Sequence, residues 1–107
     1  MRENRFQANL IKELKTRFPG CFVHKNDGSN VEQGFPDLII LYKDTYATLE
    51  CKRSATARKQ PNQTYYVNAL NEMSFSRFIF PENKEEVLNE LERHFANRPK
   101  TSGRDDI

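Results

Sequence analysis

The chain has 107 residues, enough for a single hydrophobic core and too few for two. Charged residues make up 30% and hydrophobic residues 36%, and no run approaches the roughly 18 apolar residues of a membrane span, so the expectation is a compact protein with no membrane partner, left in the cytoplasm where it is made. A net charge of +2 is too small to announce a nucleic-acid partner, which leaves the distribution of charge to carry any such argument.

In chain order, ENRFQANLIKELKTRF at 3–18 predicts a helix, because Phe6, Leu10, Leu14 and Phe18 recur at helical spacing and Ile11 widens the stripe. Pro19-Gly20 ends it. CFVHK at 21–25 reads as a short strand and NDGSNVEQG at 26–34 as a loop. DLIILYK at 37–43 and YATLECKR at 46–53 predict a hairpin turning across Asp44-Thr45. A linker at 54–60 leads to Pro61, which suits the first turn of a helix running to about Met73. SFSRFIF at 74–80 is a fourth strand, stopped by Pro81. Asn83 with Glu86 makes a capping-box-like start for a last helix, whose buried stripe is Val87, Leu88, Leu91 and Phe95. From Asn97 onward, NRPKTSGRDDI has nothing to bury and is expected to be disordered, giving one domain at 1–96 and a tail at 97–107. The order α-β-β-β-α-β-α specifies an α/β fold, with a mixed central sheet flanked by helices.

Cys21 and Cys51 both fall in strand-like apolar segments and are expected to be reduced core residues. A zinc site is not expected, since there is no CxxC and His24 and His94 are isolated, each at a surface or edge. KRSATARKQ at 52–60 carries Lys52, Arg53, Arg58 and Lys59 with no acid between them. Alone, such a run is a solvated loop, but this one leaves directly from the hairpin.

The hairpin itself holds acids in an apolar setting. An even turn centred on Asp44 and Thr45 pairs Lys43 with Tyr46, and so sets Asp37 opposite Lys52 and Ile39 opposite Glu50. Side chains alternate along a strand, so Asp37, Glu50 and Lys52 share one face, the two acids as diagonal neighbours roughly 7–8 Å apart. Two carboxylates at that reach can share one hard divalent cation such as Mg²⁺, with waters and a phosphate oxygen completing its shell. Lys52 stands where it can neutralise charge developing on a phosphate. The competing reading is a structural ion triad, with Lys52 neutralising two acids at a sheet end. Glu3 lies in the middle of the apolar stripe of the first helix and Gln63 lines up with Val67 and Leu70 on the second, and inward polar groups need partners. For Glu3, simple placement in the first turn of a helix remains an equal alternative; Glu13 lies only on the flank of the stripe.

With Glu3, Gly34-Phe35-Pro36-Asp37, Glu50-Cys51-Lys52 and Gln63 in view, the sequence resembles a PD-(D/E)XK nuclease, in particular a minimal stand-alone VRR-NUC (virus-type replication-repair nuclease) domain. Its layout is also similar to phage endonuclease I-type Holliday-junction resolvases. The resemblance covers roughly residues 3 to 95 and implies a restriction-endonuclease-like αβββαβ core. It implies that Asp37 and Glu50, with the backbone carbonyl of Cys51, ligate Mg²⁺, for which Mn²⁺ can substitute. Lys52 would then assist the nucleophilic water, Glu3 would orient water or touch a second metal, and Gln63 would hold the site in shape or contact the scissile phosphate.

So small a chain has no added module for reading a long base sequence, which favours structure-selective cleavage through backbone contacts. The candidate DNA contacts are Lys25, Asn26, Arg53, Arg58 and Lys59. Because one active site cuts one strand, junction resolution implies a homodimer, as the resemblance also does. The expected function is a metal-dependent, structure-selective DNA endonuclease resolving branched DNA in a bacterial or phage-infected cell. Two alternatives stand beside it: a sequence-specific or nicking endonuclease of restriction or homing type, and a DNA-binding subunit with an inactive nuclease fold.

Overall fold

A computed structural model describes residues 2–27 and 33–97. Much of the 26–34 loop and the tail from 98 onward, expected to be irregular, lie outside the described residues. The elements follow in the order α1 (Glu3–Arg17), β1 (Phe22–Lys25), β2 (Leu38–Tyr42), β3 (Thr45–Cys51), α2 (Pro61–Met73), β4 (Ser76–Ile79) and α3 (Lys84–Ala96). The four strands form one mixed sheet in the order β1-β2-β3-β4, antiparallel between the first three and parallel between β3 and β4. Parallel neighbours need a crossover, and the basic linker with α2 supplies it. The mixed α/β class is therefore as expected.

The core lies on one side of the sheet. Phe6, Leu10, Leu14 and Phe18 of α1 and its C-terminal turn meet Leu38 and Ile40 of β2, Ala47, Leu49 and Cys51 of β3, and Val87, Leu88, Leu91 and Phe95 of α3. Phe18 packs edge-on to Phe95 at 5.1 Å, with Tyr42 closing the ring group at 5.1 Å from Phe95. Both cysteines are free, Cys51 fully buried and Cys21 half-buried. β3 is buried along five consecutive residues because α2 covers its second face against β4. There Thr48 and Ser76 meet hydroxyl to hydroxyl at 2.7 Å.

Two local expectations are corrected. The Asn83–Glu86 capping box does not form: Asn83 accepts the Phe80 N–H at 2.8 Å and donates to the Phe78 carbonyl at 3.1 Å, so its side chain shapes the turn after β4 instead of capping α3. The hairpin turns across Lys43-Asp44, one residue earlier than expected, with Tyr42 paired to Thr45 and Leu38 to Leu49. Lys43 takes the left-handed φ of 56° that tight hairpin turns require at their first central position. Thr45, branched at Cβ, is better placed as the first strand residue than inside the turn. Extended one residue past the Leu38–Leu49 pair, this register sets Asp37 opposite Glu50, not opposite Lys52. A two-position change of register leaves every side chain on its face, so the shared face survives while the two acids move closer together.

Candidate active site

Asp37 stands at the head of β2, on a turn held from three sides. Gly34 has φ +89°, and a Cβ there would sit 2.6 Å from the Asn62 side chain and 2.9 Å from its backbone, so only glycine lets the turn dock on the first turn of α2. Pro36 is fully buried. From the end of β1, the Asn26 N–H donates to the Asp37 carbonyl at 2.7 Å, and its amide donates to the Phe35 carbonyl at 3.4 Å. Asp37 itself accepts the Cys51 N–H through Oδ2 at 2.9 Å, which ties it to β3.

Glu50 comes from the far end of β3 and is only 4% exposed. Its Oε2 accepts the Gln63 amide at 2.9 Å, while its Oε1 is buried with no hydrogen-bond partner. Burial first, and the neighbouring Asp37 second, push the Glu50 carboxyl up to about 8. Burial also raises Asp37, opposed by the Cys51 N–H and reinforced by Glu3. An orphaned acceptor inside a folded chain costs free energy unless something positive meets it.

Lys52, 8% exposed, donates from Nζ to Gln63 Oε1 at 2.8 Å. That same oxygen accepts the Gln60 N–H at 2.9 Å, so the amide is fixed in orientation by the start of α2. Gln63 thus donates to the acid and accepts from the lysine. Among the described ion pairs none joins Lys52 to Asp37 or Glu50, which weighs against a closed structural triad.

Glu3, half-buried in the first turn of α1, is near enough to raise Asp37, Glu50 and Cys51, and lines a cleft of about 590 Å³ with Arg2, Lys52, Arg53 and Ala57. Glu13 is engaged elsewhere, accepting from Lys84 of α3 at 2.8 Å and lying 4.0 Å from Arg17. Five expected residues, Glu3, Asp37, Glu50, Lys52 and Gln63, are therefore brought together.

Among the described residues no group of three or more His, Cys, Asp or Glu side chains is arranged to hold a metal ion. The donor set is sparser: two facing carboxylates, one with a bare buried oxygen. That suits a hard cation that keeps several waters and takes one or two carboxylates, and does not suit a closed zinc or calcium cage. The Cys51 N–H ties this strand residue, whose carbonyl is the expected third ligand, to Asp37.

The basic residues divide. Arg53 lines the cleft, and Arg58 is exposed. Lys59 lies over the Phe78 ring at 4.7 Å, and Lys25 is exposed at the end of β1. Asn26 is half-buried and holds the Asp37 turn, so its side chain has a structural task. Two residues join the site without having been singled out for it: Arg2 in the cleft, and Gln7, 6% exposed, whose side chain reaches the Cys51 thiol. Gln7 was legible as an amide one turn past Glu3 in an apolar stripe. His94, expected at a surface or edge, is half-buried against Phe75 and Phe95 with Nε2 3.1 Å from the Ser74 hydroxyl, remote in sequence from the acids.

No family model matches the chain, and no curated protein or solved structure matches it.

Proposed function

We propose that the protein is a metal-dependent DNA endonuclease of the PD-(D/E)XK type, built on a restriction-endonuclease-like core. The observation that carries this reading is the unpartnered buried Oε1 of Glu50, directly across the sheet from Asp37 and beside a lysine held by Gln63. A carboxylate pair kept out of water and open on one side is what a partly hydrated Mg²⁺ or Mn²⁺ ion requires. The element order α-β-β-β-α-β agrees with the αβββαβ core that the resemblance implies.

Asp37 and Glu50 would hold the cation, which supplies polarisation of the phosphoryl group and a lowered pKa for bound water. Lys52 presents its ammonium toward the same edge, where it stabilises charge developing on the phosphate oxygens. Gln63 keeps that ammonium from collapsing onto Glu50, because its oxygen holds Nζ while its nitrogen holds the acid. Glu3 reaches the cleft from the opposite layer and orients water there. Arg53, Arg58 and Lys59 leave the site along the linker and contact DNA phosphates without reading bases. On this basis the substrate is branched DNA, cut by a homodimer that supplies two sites.

The test incubates the protein with a four-way junction, a flap, a nicked duplex and plain duplex, with Mg²⁺ and with EDTA. Mg²⁺-dependent cutting that prefers the branched forms is expected. A single defined cut in linear duplex would shift the reading to a sequence-specific enzyme, and no cutting of any form would remove the nuclease assignment.

A further inference from the structure

Besides Gln63, which meets Glu50, α2 carries aromatic side chains that the hydrolysis does not use. Tyr65 is 65% exposed, four residues past the Pro61 start of α2 and six past Lys59. Its ring stands edge-on to Tyr66 at 5.1 Å and 76°, and Tyr66 stands against Phe35 at 5.5 Å and 60°. Phe35 belongs to the turn that presents Asp37, and Gly34 in that turn abuts Asn62 of α2. The three rings therefore run as a continuous line of edge contacts from the acid-bearing turn to solvent.

An exposed tyrosine can simply be a solvated helix residue. This one differs in being braced by a second ring and in following a run of cations. Arg53, Arg58 and Lys59 provide the phosphate contacts, and an aromatic face next to such a run provides what a base needs once it leaves the duplex stack. Tyr66 and Phe35 are packed against one another, so Tyr65 is the member with a free approach.

We propose that Tyr65 is a stacking platform for an unpaired nucleobase of the DNA substrate, and that the enzyme acts where a strand departs from the duplex. The inference rests on the nuclease reading and narrows it: the substrate class is DNA with unpaired or splayed nucleotides beside the scissile phosphate. Stacking tolerates every base, so the preference is for structure and not for sequence. Tyr65 makes no contact with the reacting atoms; it positions the strand that Asp37, Glu50 and Lys52 act on.

The experiment measures binding of the full chain, in EDTA and at low salt, to a short oligothymidylate and to a fully paired duplex of equal length. Tyr65→Ala should weaken oligothymidylate binding about tenfold while leaving duplex binding unchanged, and Tyr65→Phe should restore it. Alanine is a strong helix former, so this exposed helical position accommodates it, and circular dichroism of the variant checks the fold. Equal affinity of Tyr65→Ala and the wild type for oligothymidylate overturns the platform, as does an equal loss on both DNAs. A change in sedimentation without a change in oligothymidylate affinity also overturns it, assigning the ring to a contact between copies. If Mg²⁺-dependent cleavage persists in those cases, the nuclease reading stands without the platform; if the wild type binds neither DNA, both fall.

Discussion

Glu50 is an acid in a place that opposes its ionisation. Its carboxyl lies near 8 against an ordinary value of 4.5, chiefly because it is buried and then because Asp37 faces it. A raised folded-state pKa means that the folded chain holds its proton more tightly than the unfolded chain does. Glu50 therefore contributes its full stability below about pH 4.5, and that contribution is lost as pH rises through about 8. In EDTA, thermal unfolding should show Tm falling across this window, and Glu50→Gln should flatten the fall. Adding Mg²⁺ at pH 8 should raise Tm for the wild type and not for the variant, since a ligand that binds only the folded chain stabilises it. A wild-type Tm that is flat over the window would show that burial does not oppose ionisation here. The two helical acids separate equally clearly. Glu3 lines the cleft, whereas Glu13 is paired to Lys84. Glu3→Gln should slow single-turnover cleavage at least tenfold, and Glu13→Gln should leave the rate within twofold, because only Glu3 reaches the site. The reverse order would make Glu13 the helical acid.

At the scale of elements, the site depends on how the Asp37 turn meets α2. Gly34→Ala would force a Cβ into Asn62 at a φ that side chains rarely adopt, and should lower stability by about 1–3 kcal/mol. Denaturant unfolding measures that loss, and cleavage should fall further than stability does, since Asp37 moves with its turn. A variant as stable and active as the wild type would show that the turn does not need this close approach. The helices and strands were legible because their apolar periods are regular, as in Phe6, Leu10 and Leu14 of α1 and the Val87, Leu88 and Leu91 stripe of α3. The shared face of Asp37 and Glu50 was legible from alternation alone. Their direct opposition was not, because it depends on whether the hairpin turns at Lys43 or at Thr45, and a lysine at positive φ is a choice that composition does not announce. Asn83 misled for a related reason: an asparagine before a helix can cap it or bond to the preceding turn, and here the Phe80 N–H won. The double use of the Gln63 amide could be suspected from its inward position, but its partners required the distances to Glu50, Lys52 and Gln60.

At the scale of the whole molecule, the acids sit at one end of the sheet and the basic linker runs out from them into the β3–β4 crossover. Charge reversal at Arg58 and Lys59 together should weaken binding to all DNA forms and reduce the slope of log affinity against log salt by roughly one for each phosphate no longer neutralised. Fluorescence anisotropy over a salt series checks this, and a selective loss on one DNA sequence would contradict it. The half of the sheet that α2 leaves uncovered exposes Phe22 and Leu41, which stand opposite one another in register. Asp37 and Glu50 together are the proposed seat of a divalent cation. Calorimetric titration of the metal-free protein with Mn²⁺ at pH 8 tests it most directly. Saturable binding is expected, abolished by Asp37→Asn and by Glu50→Gln and retained in Glu13→Gln. Binding that survives in both site variants, or no binding to the wild type, would contradict it.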